Sequence, residues 1–278
     1  SQALYLASIC AGMATSLFSI IASALLARSA RLELTKYLDT ARVRYEISKD
    51  MYLLLLTVLP QNLISRIFGW LTYIRLPRFM MVPILQAFAR FYKINLDEAE
   101  LDIKSYPSLN KFFTRALREG ARIVDTSERA IVSPVDGRVS QFGDITEGMM
   151  IQAKGILYTL KDLLDTPDYA PLFADGRYAV IYLSPQDYHR IHSPFGGTVA
   201  GYTYTPGKLF TVNQIAVNGL VGLFPKNERL TTFLKTEFGL IAVVKVGATN
   251  VGKIRVTYDT VATNRWIRIT QRHKYEKN

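Results

Sequence analysis

The rhythm of hydrophobic and polar positions changes three times along this chain of 278 residues. Residues 1–27 carry no charged side chain, and about 20 apolar residues suffice to span a bilayer as a helix. A transmembrane or anchor helix over residues 1–30 is therefore expected. Arg28, Arg31, Lys36, Arg42 and Arg44 follow directly, and the positive-inside rule puts the remainder on the cytoplasmic side of such a span, or its organellar equivalent. From residue 51 to 96 there is no acidic residue, while Leu63, Ile67, Trp70, Leu71 and Ile74 fall on one helical face with arginines beside it. Pro60, Pro77 and Pro83 divide this stretch into short helices. Residues 31–105 thus read as a basic amphipathic helical region that faces a membrane, or else as a helical layer packed on a core.

After residue 94 the texture turns polar. Residues 97–104 predict a short acidic helix, and residues 106–115 begin another with Ser108 as its N-cap, so a boundary is expected near residue 105. Beyond residue 130 the chain is a series of short β-like runs punctuated by glycine, at 138–143, 179–183, 197–200, 228–234, 240–246 and 253–258. The basic tail around His273 reads as a solvated terminus. The expected fold is α+β: N-terminal membrane-associated helices followed by a largely antiparallel, β-rich domain over residues 106–278.

Composition sharpens this picture in two ways. A 49% hydrophobic and 12% aromatic chain has ample material for a core. Its net charge of +11 calls for an anionic partner, whether nucleic acid, acidic membrane or anionic substrate. The basic residues cluster beside apolar helices rather than on an aromatic β surface, which argues against nucleic acid. A single cysteine, Cys10, excludes internal disulfides and a cysteine-built metal site.

Candidate chemistry gathers in Tyr182-Leu-Ser-Pro-Gln-Asp-Tyr-His-Arg-Ile-His-Ser-Pro194, which holds two of the three histidines. His189 and His192 have ordinary pKa values near neutrality and sit on a loop at the end of a predicted strand, where scaffolds present reactive groups. Taken alone, such a pair is also what a hydrogen-bonded structural feature looks like. A metal site with Asp187 as an oxygen ligand lacks further ligands to complete it. In Ile131-Val-Ser-Pro-Val-Asp-Gly-Arg-Val139, Asp136 reads alone as a hairpin turn; beside His192 it is the carboxylate that orients an imidazole. A serine hydrolase built on Ser133 or Ser193 lacks a nucleophile elbow, and the scattered glycines make no nucleotide loop.

Six stretches occur in a telling order: Ser133-Pro-Val-Asp-Gly-Arg138, Gln152-Ala-Lys-Gly155 with Tyr158-Thr-Leu after it, Tyr182 to Pro194, Pro206-Gly-Lys-Leu-Phe-Thr-Val-Asn213, Asn227-Glu-Arg229 and Val246-Gly-Ala-Thr-Asn-Val-Gly-Lys-Ile254. Together they resemble phosphatidylserine decarboxylase of the bacterial and mitochondrial type, and residues 106–115 resemble that family's lead into its catalytic domain. Lys253 stands where a small residue is more usual.

The resemblance implies a carboxy-lyase that turns phosphatidylserine into phosphatidylethanolamine through a Schiff base with a self-generated pyruvoyl group. It implies that Asp136 and His192 act as the base on a serine in a Leu-Gly-Ser-Thr-like motif. The precursor then splits into a large β chain and a small α chain headed by the pyruvoyl, while His189 positions the carboxylate or supplies a proton. No such motif follows Lys253 here. The chain is accordingly expected to be a β chain whose pyruvoyl-bearing α chain completes the fold, the alternative being an incomplete, membrane-attached domain that binds anionic phospholipid. The implied partners are the α chain, phosphatidylserine and an anionic membrane, with a homodimer compatible. The implied location is the cytoplasmic face of a bacterial inner membrane, or the mitochondrial inner membrane.

Overall fold

The computed structural model describes residues 41–153, 155–266 and 268–275, with side chains from residue 50 onward; the expected anchor at residues 1–30 and Cys10 lie outside the described residues. The chain divides into two compact units between Leu55 and Leu56, and helix α1 (Ala41–Val58) runs across the division. All the strands found among the described residues lie in the second unit. Among the described residues no single helix is long and apolar enough to cross a membrane.

Helices α2 (Gln61–Thr72) and α3 (Arg78–Tyr92) each begin directly after a proline, Pro60 and Pro77, where the missing N–H has no helical partner to lose. Pro83 does not break the region as expected but sits inside α3. It forfeits one backbone hydrogen bond, while Met81, Leu85 and Ala89, on either side of it, are buried and hold the helix to its core. That core also contains Ile94, Tyr106 and Phe112, so hydrophobic packing bridges the boundary expected near residue 105.

Helix α2 is amphipathic in an inverted sense. Its buried residues are Gln61 and Ser65, whereas Leu63, Ile67 and Trp70 are exposed, Trp70 by 65%. The polar face is inward because it serves loops of the β-rich part: Ser65 accepts from the Asn250 N–H at 3.0 Å, and Asn62 donates to the carbonyl of Gly207 at 3.1 Å and to Glu228 at 3.3 Å.

Residues 97–104 do not form the expected acidic helix. Their backbone pairs instead with residues 116–118: Glu100 donates to Ala116, Arg118 donates to Glu98, and the Arg118 side chain takes the Ala99 carbonyl at 2.8 Å. Tertiary pairing overrides a weak local preference. Only a 3-10 turn, Ile103–Ser105, remains, capped by Asp102. The next helix forms as expected: α4 (Leu109–Phe113) is capped by the Ser108 hydroxyl, which accepts from the Lys111 N–H.

All named strand pairs are antiparallel. Strand β1 (Arg138–Asp144) pairs with β4 (Arg177–Tyr182), and β2 (Met149–Ala153) with β3 (Ile156–Thr159). A four-stranded sheet runs in the order β7 (Gly239–Val246), β6 (Arg229–Thr236), β5 (Thr198–Thr205), β8 (Gln271–Lys274). Five of the six expected strands are present. The sixth, 253–258, is not a strand: Ile254, Val256 and Tyr258 alternate because they cover the sheet beside Tyr202, Tyr204 and Leu230. The tail around His273 is likewise not a loose terminus, since β8 pairs with β5 and sets His273 opposite Tyr202.

The triplet Asn227-Glu-Arg229 is fully buried and ties these parts together. Asn227 bonds Phe210 through both its oxygen and its nitrogen and donates to the Gly247 carbonyl. Glu228 accepts from the Tyr204 hydroxyl and the Asn264 N–H. The Arg229 guanidinium donates to the carbonyls of Asp162, Leu163, Pro225 and Asn227, and burial pushes its pKa down to about 10.

Candidate active site

The pairing of β1 with β4 explains why two distant motifs meet. Arg138 lies opposite Tyr182, so the start of β1 and the end of β4 share one end of the ribbon. Asp136 precedes that start, and the histidine loop follows that end. Gly137 makes the junction feasible: its φ is +119°, and a Cβ there would lie 2.4 Å from the Tyr182 carbonyl oxygen, which no other residue tolerates. Beyond the strands the two segments stay zipped together, His192 N–H to the Pro134 carbonyl at 2.8 Å and Val132 N–H to the Pro194 carbonyl at 2.9 Å.

A third segment braces this pair from behind. At the end of α4, the Thr114 carbonyl accepts from Arg190 Nε at 2.9 Å, and Arg115 donates to the Gln186 carbonyl at 3.3 Å. The Phe113 ring lies against His189 with centroids 4.0 Å apart. Residues 106–115, 131–139 and 182–194 thus converge on one site.

Within it, the protonation of His189 follows from its partner. Its Nδ1 is 2.8 Å from the Asp187 carbonyl, which only accepts, so Nδ1 carries the proton and Nε2 keeps its lone pair. Burial lowers the pKa of this imidazole, favouring the neutral form. His192 is more exposed. Its Nε2 meets the Tyr188 hydroxyl at 3.0 Å, and the two rings stack with centroids 5.5 Å apart at 19°.

Asp136 and His192 come to the same end of the ribbon without a direct hydrogen bond between them. Arg122 holds the Asp136 carboxylate bidentately, Nε to Oδ1 at 2.9 Å and one terminal nitrogen to Oδ2 at 2.7 Å, and that nitrogen also reaches Glu98 at 2.8 Å. These contacts hold Asp136 below the usual carboxylate range, with the Tyr188 backbone N–H adding to the effect. Asp187 is taken by the backbone and hydroxyl of Ser184, and Ser133 and Ser193 each donate to a carbonyl two residues on. Among the described residues no group of three His, Cys, Asp or Glu side chains could hold a metal.

The site opens on a cleft of about 3760 Å³ that His189, His192, Ser133 and the length of β7 line. β7 is an edge strand of its sheet.

Comparison with known proteins decides the family. Residues 109–277 match the family described as "Phosphatidylserine decarboxylase". The chain belongs to that family. It is 46% identical over 218 residues to the phosphatidylserine decarboxylase proenzyme of Myxococcus xanthus (strain DK1622), covering 78% of each chain. To the proenzyme of Anaeromyxobacter sp. (strain K) it is 45% identical over 228 residues, 81% of this chain and 80% of that one. To that of Acinetobacter baylyi it is 42% identical over 220 residues, 79% and 75%.

Within this decarboxylase chain the six motif stretches divide by role. Those holding Asp136, His189 and His192 form the candidate site. Of the others, Asn227-Glu-Arg229 is fully buried, and Gln152 is an internal strut that bonds the Val217 and Leu220 carbonyls and the Leu223 N–H. Sequence reasoning passed over Tyr188, Arg122, Glu98 and Phe113. Tyr188 lay in plain view between the histidines, whereas Arg122 and Glu98 come from segments with no chemical pattern of their own.

Proposed function

We propose that this chain is the larger, β chain of an enzyme that decarboxylates phosphatidylserine to phosphatidylethanolamine, working with a pyruvoyl group carried on a short α chain from the same precursor. The observation that carries this reading is the convergence of Asp136, His189 and His192 at one end of the β1–β4 ribbon, where the two histidines line an open cleft. The proenzyme names of the relatives agree with a processed precursor.

The residues present fit the group. The cleft has room for a partner segment, and the free edge of β7 offers backbone donors and acceptors for an added strand. Once bound there, a pyruvoyl carbonyl supplies an electron sink that no side chain offers. In forming it, His192 takes the proton of the precursor's serine hydroxyl at Nε2, and Asp136 stabilises the imidazolium. His189, neutral and with Nε2 unprotonated, would position the substrate carboxylate and, after taking a proton from solvent at Nε2, would pass it to the carbon that has lost carbon dioxide.

The substrate also requires access to lipid, and the helical side of the unit suits it. Phe79 and Phe91 on α3 are 78% and 77% exposed. On α2, Arg66 lies 4.4 Å from the ring of Trp266, itself 77% exposed. Lys253 sits over Tyr73, and partial burial, with the nearby charges of Arg255 and Arg265, lowers its pKa. Aromatic rings among cations suit an anionic headgroup layer. We therefore favour the cytoplasmic face of a bacterial inner membrane, or the mitochondrial inner membrane, as its location.

The test is carbon dioxide release from phosphatidylserine labelled at the serine carboxyl, in mixed micelles, before and after borohydride. Release that borohydride abolishes supports the reading. Binding to anionic vesicles without release would mean a lipid-binding relative that lacks its catalyst.

A further inference from the structure

Two carboxylates share one guanidinium at the edge of the site. Arg122 spans Asp136 and Glu98 through contacts of 2.7 and 2.8 Å, and all three side chains are partly exposed. A base partner for His192 is useful only while its charge is felt, and a bidentate guanidinium taken alone would cancel that charge. Glu98 adds a second negative charge on the same terminal nitrogen of Arg122 that holds Asp136 Oδ2. The three together keep one net negative charge.

We propose that Arg122 is a positioning residue for the Asp136–His192 pair and that Glu98 is its counter-charge, so that Asp136 is fixed in place without losing its electrostatic hold on His192. The inference rests on the reading of Asp136 and His192 as the self-cleavage base. The other charged or titratable groups that act here are Arg115, whose positive charge reaches Asp136 and Glu98 from the end of α4, Tyr188, whose hydroxyl meets His192 and whose backbone N–H helps lower the Asp136 pKa, and Arg190, held to Thr114. Arg115 adds to the hold on Asp136 but makes no ion pair with it among the described residues.

Arg122 and Glu98 carry opposite charges, so removing one or the other should have opposite effects, and that makes the idea testable. Removing Arg122 leaves two carboxylates with only the charge of Arg115, which makes no ion pair with Asp136, to offset them; they favour imidazolium and move the acid limb of a His192-dependent rate to higher pH. Removing Glu98 lets Arg122 cancel Asp136, which disfavours imidazolium and moves the limb to lower pH. A purely structural clamp would lower the rate in both variants and shift neither limb.

The experiment is the pH profile of self-cleavage of the full-length precursor, wild type against Arg122→Gln, Glu98→Gln and Arg122→Lys. Expected are opposite displacements of the acid midpoint, up in Arg122→Gln and down in Glu98→Gln, each of roughly half a pH unit and smaller in high salt. Arg122→Lys keeps the wild-type midpoint and cleaves more slowly, because a lysine cannot grip both carboxylate oxygens. Midpoints that stay put, or that move together, overturn the proposal. If Arg122→Gln does not fold, Glu98→Gln decides alone, and an unmoved midpoint there overturns it. A wild-type precursor that never cleaves would remove the function reading and this inference together; a cleaving wild type with unmoved variants would remove only the latter.

Discussion

The Tyr188 hydroxyl stands 3.0 Å from Nε2 of His192, the nitrogen proposed above to take the serine proton. Burial raises the pKa of this phenol, so it is protonated at neutral pH and able to donate. When it donates, Nε2 is the acceptor and the imidazole proton resides on Nδ1, the tautomer in which Nε2 is basic. The same residue's backbone N–H adds to the lowering of the Asp136 pKa, which Arg122 dominates.

Replacing Tyr188 with Phe keeps the stacked ring and removes the hydroxyl. Self-cleavage of the precursor should slow by roughly tenfold, the worth of one ordinary hydrogen bond, with the melting temperature little changed. An unaltered cleavage rate would show that the hydroxyl does not set the tautomer.

The two histidines should separate by step. Asp136→Asn and His192→Ala should each block precursor cleavage, read as a failure to yield a small second chain on a denaturing gel. His189→Ala should leave cleavage largely intact and abolish decarboxylation, because His189 is held by Asp187 and Phe113 rather than by the Asp136 cluster. Cleavage lost in all three variants alike would merge the roles.

Lys245 is a buried cation in β7 whose ammonium donates to Thr232 and to the Val243 carbonyl, and desolvation pushes its pKa down to about 7. The unfolded chain, with a lysine pKa of about 10.4, binds more protons between those values. Stability therefore rises with pH across that window. Lys245→Met should raise the melting temperature at pH 7 and raise it less at pH 9, by thermal unfolding of the assembled protein. An equal or larger gain at pH 9 would contradict the shift.

Membrane attachment should draw on both the N-terminal segment and the aromatic surface. Deleting residues 1–30 should weaken sedimentation with anionic vesicles, and a further Trp70→Ala, Trp266→Ala pair should weaken it again. Binding unaffected by the tryptophan pair would remove that surface from the lipid contact.

Much of this architecture was legible in residue order. Glycine-punctuated runs marked five strands, and Ser108 marked the start of α4, because caps and alternation are local signals. What failed was decided by tertiary partners. The pattern at 253–258 mimicked a strand because a covering segment also alternates, β8 hid in a basic tail because its partner lies some 70 residues earlier in β5, and the acidic run at 97–104 lost its helix to backbone pairing with residues 116–118. At the site, the histidines and Asp136 stood out by chemical type. Arg122 and Glu98 did not, since one exposed arginine among 34 basic residues carries no mark until the fold sets it against a carboxylate.

If the enzyme processes itself, intact-mass measurement of the purified protein under denaturing conditions will reveal a second, small polypeptide whose N-terminal carbonyl gains the mass of reduction on borohydride treatment. A single polypeptide with an ordinary amino terminus and no reducible carbonyl would contradict self-processing.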